Sequence, residues 1–451
     1  MAILPIDGGR YGTPEMREVF GDQRKVDHQV RIEGAVAAAQ GRLKVIPLRA
    51  AQSIARAASP GEVTVARIAE LEAKSDHDTA ALVEALAEKC TLYARPWIHY
   101  GLTSNDLVDT SNSMQMRDAL DIIAPKVSEL ARMLAETALK YADLPAVGRT
   151  HGQHASIMSF GLKFANWAEE MAEHGRRLGQ TRDRVIICKT LGVVGTGSLM
   201  GRAAVDVQRE VAEELGMIPA AVATQVVPRE RYAEYVFALA LIGSTLEKMA
   251  VEIRNLQRTE IGEVAERFAE GQMGSSAVPV KRNPIKSERI TSLSRLLRSQ
   301  LGVALENVPL WHERDLSNSA NERFIIPTSS IILDEMLQTA LGILPRLVIN
   351  RDRILENMER TRGQIYAEFV MDALIRKGAT RMEAYRNVQR VAFRAAKTGA
   401  HFRDAISMDG AISGSLDPQD IEKIFDAGSH LGASQEIIRG VAGSIIPAES
   451  S

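Results

Sequence analysis

Apolar residues recur at Leu239, Ile242, Leu246, Met249, Ile253 and Leu256, with gaps of three and four in alternation. Such a heptad seam predicts a long helix packed lengthwise against others. The pattern predicts that this helix continues through Arg258, Glu260 and Glu263, and that Lys248 and Glu252 pair at i,i+4 on its outer face. Ser156 to Arg184 has few breakers and reads as a second long helix. Ser330–Leu347 reads as a third, interrupted by Pro345. Alternating strand patterns are hard to find, so the expectation is an all-α bundle of long helices. A seam of this length can also pack against a partner chain.

Breakers divide the rest. Pro96 and the stretch Gly101–Asp106 close a helical N-terminal part, 1–100. A central helical part, 101–350, is interrupted by Gly271–Pro284 (GQMGSSAVPVKRNP), a basic Gly-, Ser- and Pro-rich segment that reads as a functional loop. From 351 to 451 the pattern shortens to Met358–Lys377, then Arg381–Lys397, then a tail carrying Gly410, Gly414 and Gly432. That last part reads as a small helical domain. The length of 451 residues accommodates three such parts.

Charge and composition narrow the classes. Lys+Arg is 55 and Asp+Glu is 57, a net charge of −2, which argues against nonspecific nucleic-acid binding. The scarcity of aromatic residues (5%) leans away from sandwiches and barrels. Cys90 and Cys188 are the only cysteines, too few for a disulfide framework or a thiolate zinc site. The longest apolar run, Tyr235–Ile242, falls far short of the ~20 residues that span a bilayer. The opening MAILPIDGGR turns polar too early for a signal peptide. A soluble, cytoplasmic protein is expected.

Polar clusters stand where a bundle has no need of them: Arg10-Tyr11, Ser75–Asp78, His99–Asp106, Gly148–His154, Lys281–Pro284, and Trp311–Asp315 followed by Ser319 and Arg323. Each has an ordinary explanation. His77-Asp78 suits a surface pair or a helix cap, and Thr103–Asp106 suits an N-cap. His151 and His154 have a spacing that could share a metal, but no acidic third ligand is near. Gly274-Ser275-Ser276 lacks the spacing of a phosphate-binding Walker loop. Arg314 and Arg323 could be solvated helix-face charges. Together, the cations suit an anionic substrate.

The segment Gly274-Ser275-Ser276-Ala277-Val278-Pro279-Val280-Lys281-Arg282-Asn283-Pro284 resembles the signature loop of the fumarase/aspartase superfamily, G-S-S-x-M-P-x-K-x-N-P. Further segments narrow the resemblance to the adenylosuccinate lyase family. They are Arg10-Tyr11, Thr103-Ser104 with Asp106 and Asp109-Thr110, Thr150–Gln153, Thr224-Gln225 with Arg229, Glu252–Glu260, Ser287-Glu288, Trp311–Asp315 and Arg381–Tyr385. The resemblance implies a three-domain helical fold whose long central helices form the core of a homotetramer, with each active site drawing on three subunits. It implies elimination of fumarate from adenylosuccinate and from succinyl-aminoimidazole-carboxamide ribotide, with no metal or organic cofactor.

The residue types suit that chemistry. Removing a proton beside a carboxylate adds negative charge there, so cations and donors are needed. The departing nitrogen needs a proton, which a histidine can give. By resemblance, His151 is the general acid, helped by His77, Ser275 is the base, and Lys281 and Asn283 stabilise the charge. Arg10, Tyr11, Arg314, Ser319 and Arg323 are implied to hold the phosphate, and Thr103, Ser104 and Gln225 the succinyl end. Asp78, Ser276 and Glu288 are implied as further substrate contacts. The chain departs from the family pattern at Asp76, where a basic residue is usual, at Val278 and Val280 in the loop, at Ser156-Ile157-Met158, and at Thr328. Two other readings are a 3-carboxymuconate cycloisomerase and a scaffold that kept the fold without the chemistry. The presence of His151 and Ser275 weighs against the scaffold.

Overall fold

The computed structural model describes residues 4–268, 271 and 276–447. Within them the chain is mostly helical. Long helices span Ser104–Lys140, Gly161–Val185, Glu230–Leu256, Ile285–Glu306 and Ser319–Ile343. At 1.5 Å per residue the first is about 55 Å long. All six seam residues, Leu239 to Leu256, are buried. The chain divides into two compact units, which are described in turn.

The first unit comprises 1–127, 174–246 and 290–339. Its helices approach closely where side chains are small. A Cβ at Gly243 would meet Leu297 Cδ2 at 2.7 Å, and Ser294 Oγ donates to the Gly243 carbonyl at 3.0 Å. Tyr235 Oη and Ser330 Oγ lie 2.7 Å apart in the same core. The buried Asp334 carboxylate accepts from the Thr13 amide and hydroxyl at 2.9 and 2.7 Å and pairs with Lys126. The Gly12 amide donates to Glu335 at 3.1 Å. These bonds moor the segment that carries Arg10 and Tyr11. Gly12 has φ +81, and a Cβ there would meet Ile331 at 2.4 Å, so only glycine fits.

The second unit comprises 128–173, 247–289 and 340–451. It contains an antiparallel hairpin, β1 (Pro145–Thr150) and β2 (Gln153–Ser159). Val147 of β1 and Ile157 of β2 pack into one core with Met358, Tyr366, Val370 and Phe402 of the C-terminal helices. The hairpin is thereby seated on the part of the chain that follows residue 350.

Several expectations are corrected. The second long helix begins at Gly161, because Ser156–Ser159 pair with Gly148–Pro145. The third runs Ser319–Ile343 and carries Pro327 inside it, while Pro345 falls in the 3-10 turn that follows. The segment 358–377 is broken by Gly363, at φ +81. The seam helix stops at Leu256. Gly262 turns the chain at φ +66, and Glu263 leaves the helix to become fully buried against Arg149. Lys248 pairs with Glu170 rather than Glu252, which takes Lys163 at 2.7 Å, so both charges link helices instead of one turn. Among the described residues, no helix is long and apolar enough to cross a membrane.

Candidate active site

A cleft of about 490 Å³ opens in the first unit. Six of the catalytic and substrate-binding residues that the resemblance implies line it: His77, Asp78, Ser104, Arg314, Ser319 and Arg323. His77 caps the helix Asp78–Lys89, its Nδ1 accepting the Ala80 amide at 3.2 Å. A neutral ring so held carries its proton on Nε2 and offers a donor. Asp78 accepts from its neighbour Thr79 at 2.7 Å and from Arg323 at 3.3 Å. Asp76 ends the preceding helix at φ +53. That left-handed position tolerates Asp better than the basic residue of the family pattern.

Ser104 opens the Ser104–Lys140 helix, and Asp106 accepts the Thr103 amide at 2.7 Å, so the N-cap reading of this run holds. The cleft floor is a buried ion triad. Arg229, 1% exposed, binds both oxygens of Asp109 at 2.8 and 2.9 Å and both of Glu322 at 2.8 and 3.2 Å. Burial pushes the Glu322 carboxyl up, with Arg229 and Asn318 pulling it back. Asn318 donates to Glu322 at 3.0 Å.

Arg229 is consumed by these carboxylates, which leaves Lys25, Arg314 and Arg323 as the cations facing the cleft. Burial lowers the Lys25 amine, and the nearby Arg323 adds to the effect. Arg314 donates through Nη1 to Gln225 Oε1 at 2.9 Å, which brings Gln225 to the cleft edge. The buried Nε of Arg314 has no hydrogen-bond partner among the described residues, a donor left for a ligand. Arg10 and Tyr11 belong to the same unit but do not line this cleft. Sequence reading missed Lys25, Asn318 and Glu322. The last two had one signal, since they flank Ser319 and Arg323 at helical spacing.

The second unit holds His151, Ser276, Lys281, Asn283 and Glu288. His151 and Gly152 form the two-residue turn between β1 and β2, at φ +53 and +72. Positive φ at both positions is the turn that matches strand twist. A left-handed histidine costs about 1–2 kcal/mol, and sites of chemistry are where such strain is found. The imidazole stands exposed at the turn. Beside it, Arg149 binds the fully buried Glu263, which also accepts from Asn357 at 2.8 Å. Burial lowers the His154 imidazole, with Arg149 contributing. Among the described residues no cluster of three or more His, Cys, Asp or Glu side chains is arranged for a metal.

Ser275 lies outside the described residues, but the feet of its loop are placed. Gln257 accepts the Glu266 amide at 2.9 Å and donates to the Arg282 carbonyl at 3.0 Å. The Glu266 carboxylate accepts the Ser287 amide and hydroxyl at 2.7 and 2.6 Å, capping the Ile285–Glu306 helix. Ser276 and Lys281 are exposed, Asn283 is half-buried, and Glu288 sits in the first turn of that helix.

Comparison with known proteins gives these features a context. Residues 9–297 match the family described as lyase, and 363–441 match the adenylosuccinate lyase C-terminus. The chain is 42% identical to an adenylosuccinate lyase of Methanothermobacter thermautotrophicus over 98% of both chains. It is 42% identical to one of Pyrococcus abyssi, over 98% of this chain and 97% of that one. Among solved structures it is similar to a 3-carboxy-cis,cis-muconate lactonizing enzyme of Pseudomonas putida, with a TM-score of 0.88, 26% identity, and coverage of 98% and 99% of the two chains. A fumarate lyase of Mesorhizobium sp. BNC1 is similar at a TM-score of 0.88 and 30% identity, covering 96% and 98%. With its helical fold, signature loop and matched C-terminal region, the chain belongs to the adenylosuccinate lyases of the fumarase/aspartase-type lyase family.

Proposed function

We propose that the chain eliminates fumarate from adenylosuccinate to give AMP, and carries out the parallel elimination on succinyl-aminoimidazole-carboxamide ribotide. The observation that carries this reading is the full-length similarity to adenylosuccinate lyases together with one cleft gathering six of the residues that the family resemblance implies. On this reading, Ser275 takes the proton beside the succinyl carboxylate, Lys281 and Asn283 stabilise the resulting charge, and His151 protonates the departing nitrogen. His77, with its Nε2 donor, orients the substrate. Arg314, Ser319 and Arg323, with Arg10 and Tyr11, hold the phosphate, while Thr103, Ser104 and Gln225 hold the succinyl end. Asp78, Ser276 and Glu288 complete the contacts. The scheme needs no metal or organic cofactor.

The reading extends to a cytoplasmic homotetramer with shared sites and to the three-domain division with breaks near 100 and 350. Support for assembly comes from apolar side chains left in solvent on the long helices, such as Phe237 and Leu296, 49% and 48% exposed. Support for the last domain comes from the core that the C-terminal helices build. The muconate-cyclising reading is favoured by the fold similarity to the Pseudomonas putida enzyme.

One assay separates the two. Purified protein mixed with adenylosuccinate should change its ultraviolet absorbance as AMP forms. No turnover, with 3-carboxymuconate consumed instead, would overturn the lyase reading. Light scattering should give four times the chain mass, and a monomeric mass would overturn the shared site.

A further inference from the structure

Below the cleft's edge lies a second buried ion pair that the reaction scheme does not use. Lys189 and Asp106 are both 0% exposed, with Nζ and Oδ1 2.7 Å apart. The ammonium also donates to the carbonyls of Gly192 at 3.0 Å and Gln225 at 2.8 Å. The ammonium thus lies against one carboxylate oxygen and two backbone carbonyls. Asp106 Oδ2 accepts the amides of Thr103 at 2.7 Å and Gly192 at 3.0 Å. Two side chains therefore tie together backbone from three segments.

Burying two charges costs several kcal/mol each, and a well-packed apolar pair often stabilises a fold as well or better. An apolar pair, however, cannot bind the backbone groups of Thr103, Gly192 and Gln225. Two of these segments carry the residues placed at the succinyl end, Thr103-Ser104 and Gln225. Gln225 in turn holds Arg314.

We propose that Lys189 is a positioning residue for the dicarboxylate end of the substrate: through Asp106 and the Gln225 carbonyl it sets the spacing between Ser104 and Gln225. The identity of the ligand rests on the lyase reading; the positioning role does not. The test is the double variant Asp106→Asn with Lys189→Met, which removes both charges and strands neither. Its fold is checked by circular dichroism and melting temperature. Fumarate and AMP then serve as product inhibitors of the full-length enzyme, since fumarate occupies only the dicarboxylate end and AMP lacks it.

The inhibition constant for fumarate should rise about tenfold or more, the scale of a lost hydrogen bond to a charged group, while that for AMP, reached only through the Gln225–Arg314 bond, rises clearly less. Equal weakening of both, or no change in either, overturns the proposal. Lys189→Arg is the second variant, keeping the charge pair and hence the fold while shifting the donors around the Gln225 carbonyl; the same selective loss is expected. A wild-type protein that does not cleave adenylosuccinate overturns the lyase reading alone. Fumarate binding by calorimetry then decides the role of Lys189: tenfold weaker binding in the variants supports it, while equal binding, or none to the wild type, overturns it.

Discussion

The cleft and the hairpin place their polar side chains by opposite means. In the cleft, Arg229 is withdrawn from water and clamped by Asp109 and Glu322, and the groups around it inherit their positions from that triad. At the hairpin, His151 stands in solvent and is placed by the φ angles of a two-residue turn. The difference teaches which jobs each device suits. Recognition of a charged ligand rewards fixed charges in a low-dielectric floor, where reorganisation is already done. A proton-transfer group, the role proposed for His151, must reach its partner, and a rigid turn supplies that position.

Variants of the proposed proton-transfer groups should have the largest effects. Ser275→Ala should bind substrate but turn over about 10²–10⁴-fold more slowly. His151→Asn should lose kcat on the same scale with an unchanged melting temperature, because asparagine tolerates the left-handed turn. A large drop in melting temperature would break the idea that the turn alone places this residue.

On the cleft side, Arg229→Met leaves two buried carboxylates unpaired and should cost about 3–5 kcal/mol, read from the urea midpoint. Arg323→Met, whose pair with Asp78 is exposed, should cost under about 1 kcal/mol in stability yet raise KM. Equal stability losses would erase the distinction between floor and wall. Glu263→Gln weakens the anchor of β1 by about 1–3 kcal/mol, and a fall in kcat without that loss would show a role beyond anchoring.

The smallest effect concerns a site outside both regions. Arg390, aided by Arg394, holds the Asp409 carboxyl down at about 2 against the opposing effect of burial. The folded pKa lies below the 3.8 of an ordinary aspartate, so this pair stabilises the fold above that value and fades as pH falls toward 2. The gap in melting temperature between wild type and Asp409→Asn should be full at pH 6 and close between pH 4 and 2.

How much of this was legible in the sequence depends on reach. The seam from Leu239 to Leu256 was plain because its period is local, and so was the cap formed by His77. The hairpin was hidden, since Val147 and Ile157 are its few inward apolar residues and Ser156 reads equally well as a helix start. The helix end at Leu256 was missed because Glu263 is drawn out by Arg149, 114 positions away. Lys25 and Lys189 gave no signal, because Arg323 and Asp78, which act on Lys25, and Asp106, which meets Lys189, lie far away in the chain. The signature loop was recognised from Gly, Ser, Pro, Lys and Asn in register, although Ser275 itself falls outside the described residues.

The turn at His151-Gly152 also bears on the order of folding. Its strands are neighbours in the chain, and such hairpins close in roughly 1–10 μs. The Asp109–Arg229–Glu322 floor must join segments separated by 120 and 93 positions. Its closure has to wait for distant chain to arrive. A refolding chain therefore acquires the turn that carries His151 well before it closes the floor of the cleft. Amide protection in pulsed exchange should appear across Pro145–Ser159 ahead of the Arg229 segment.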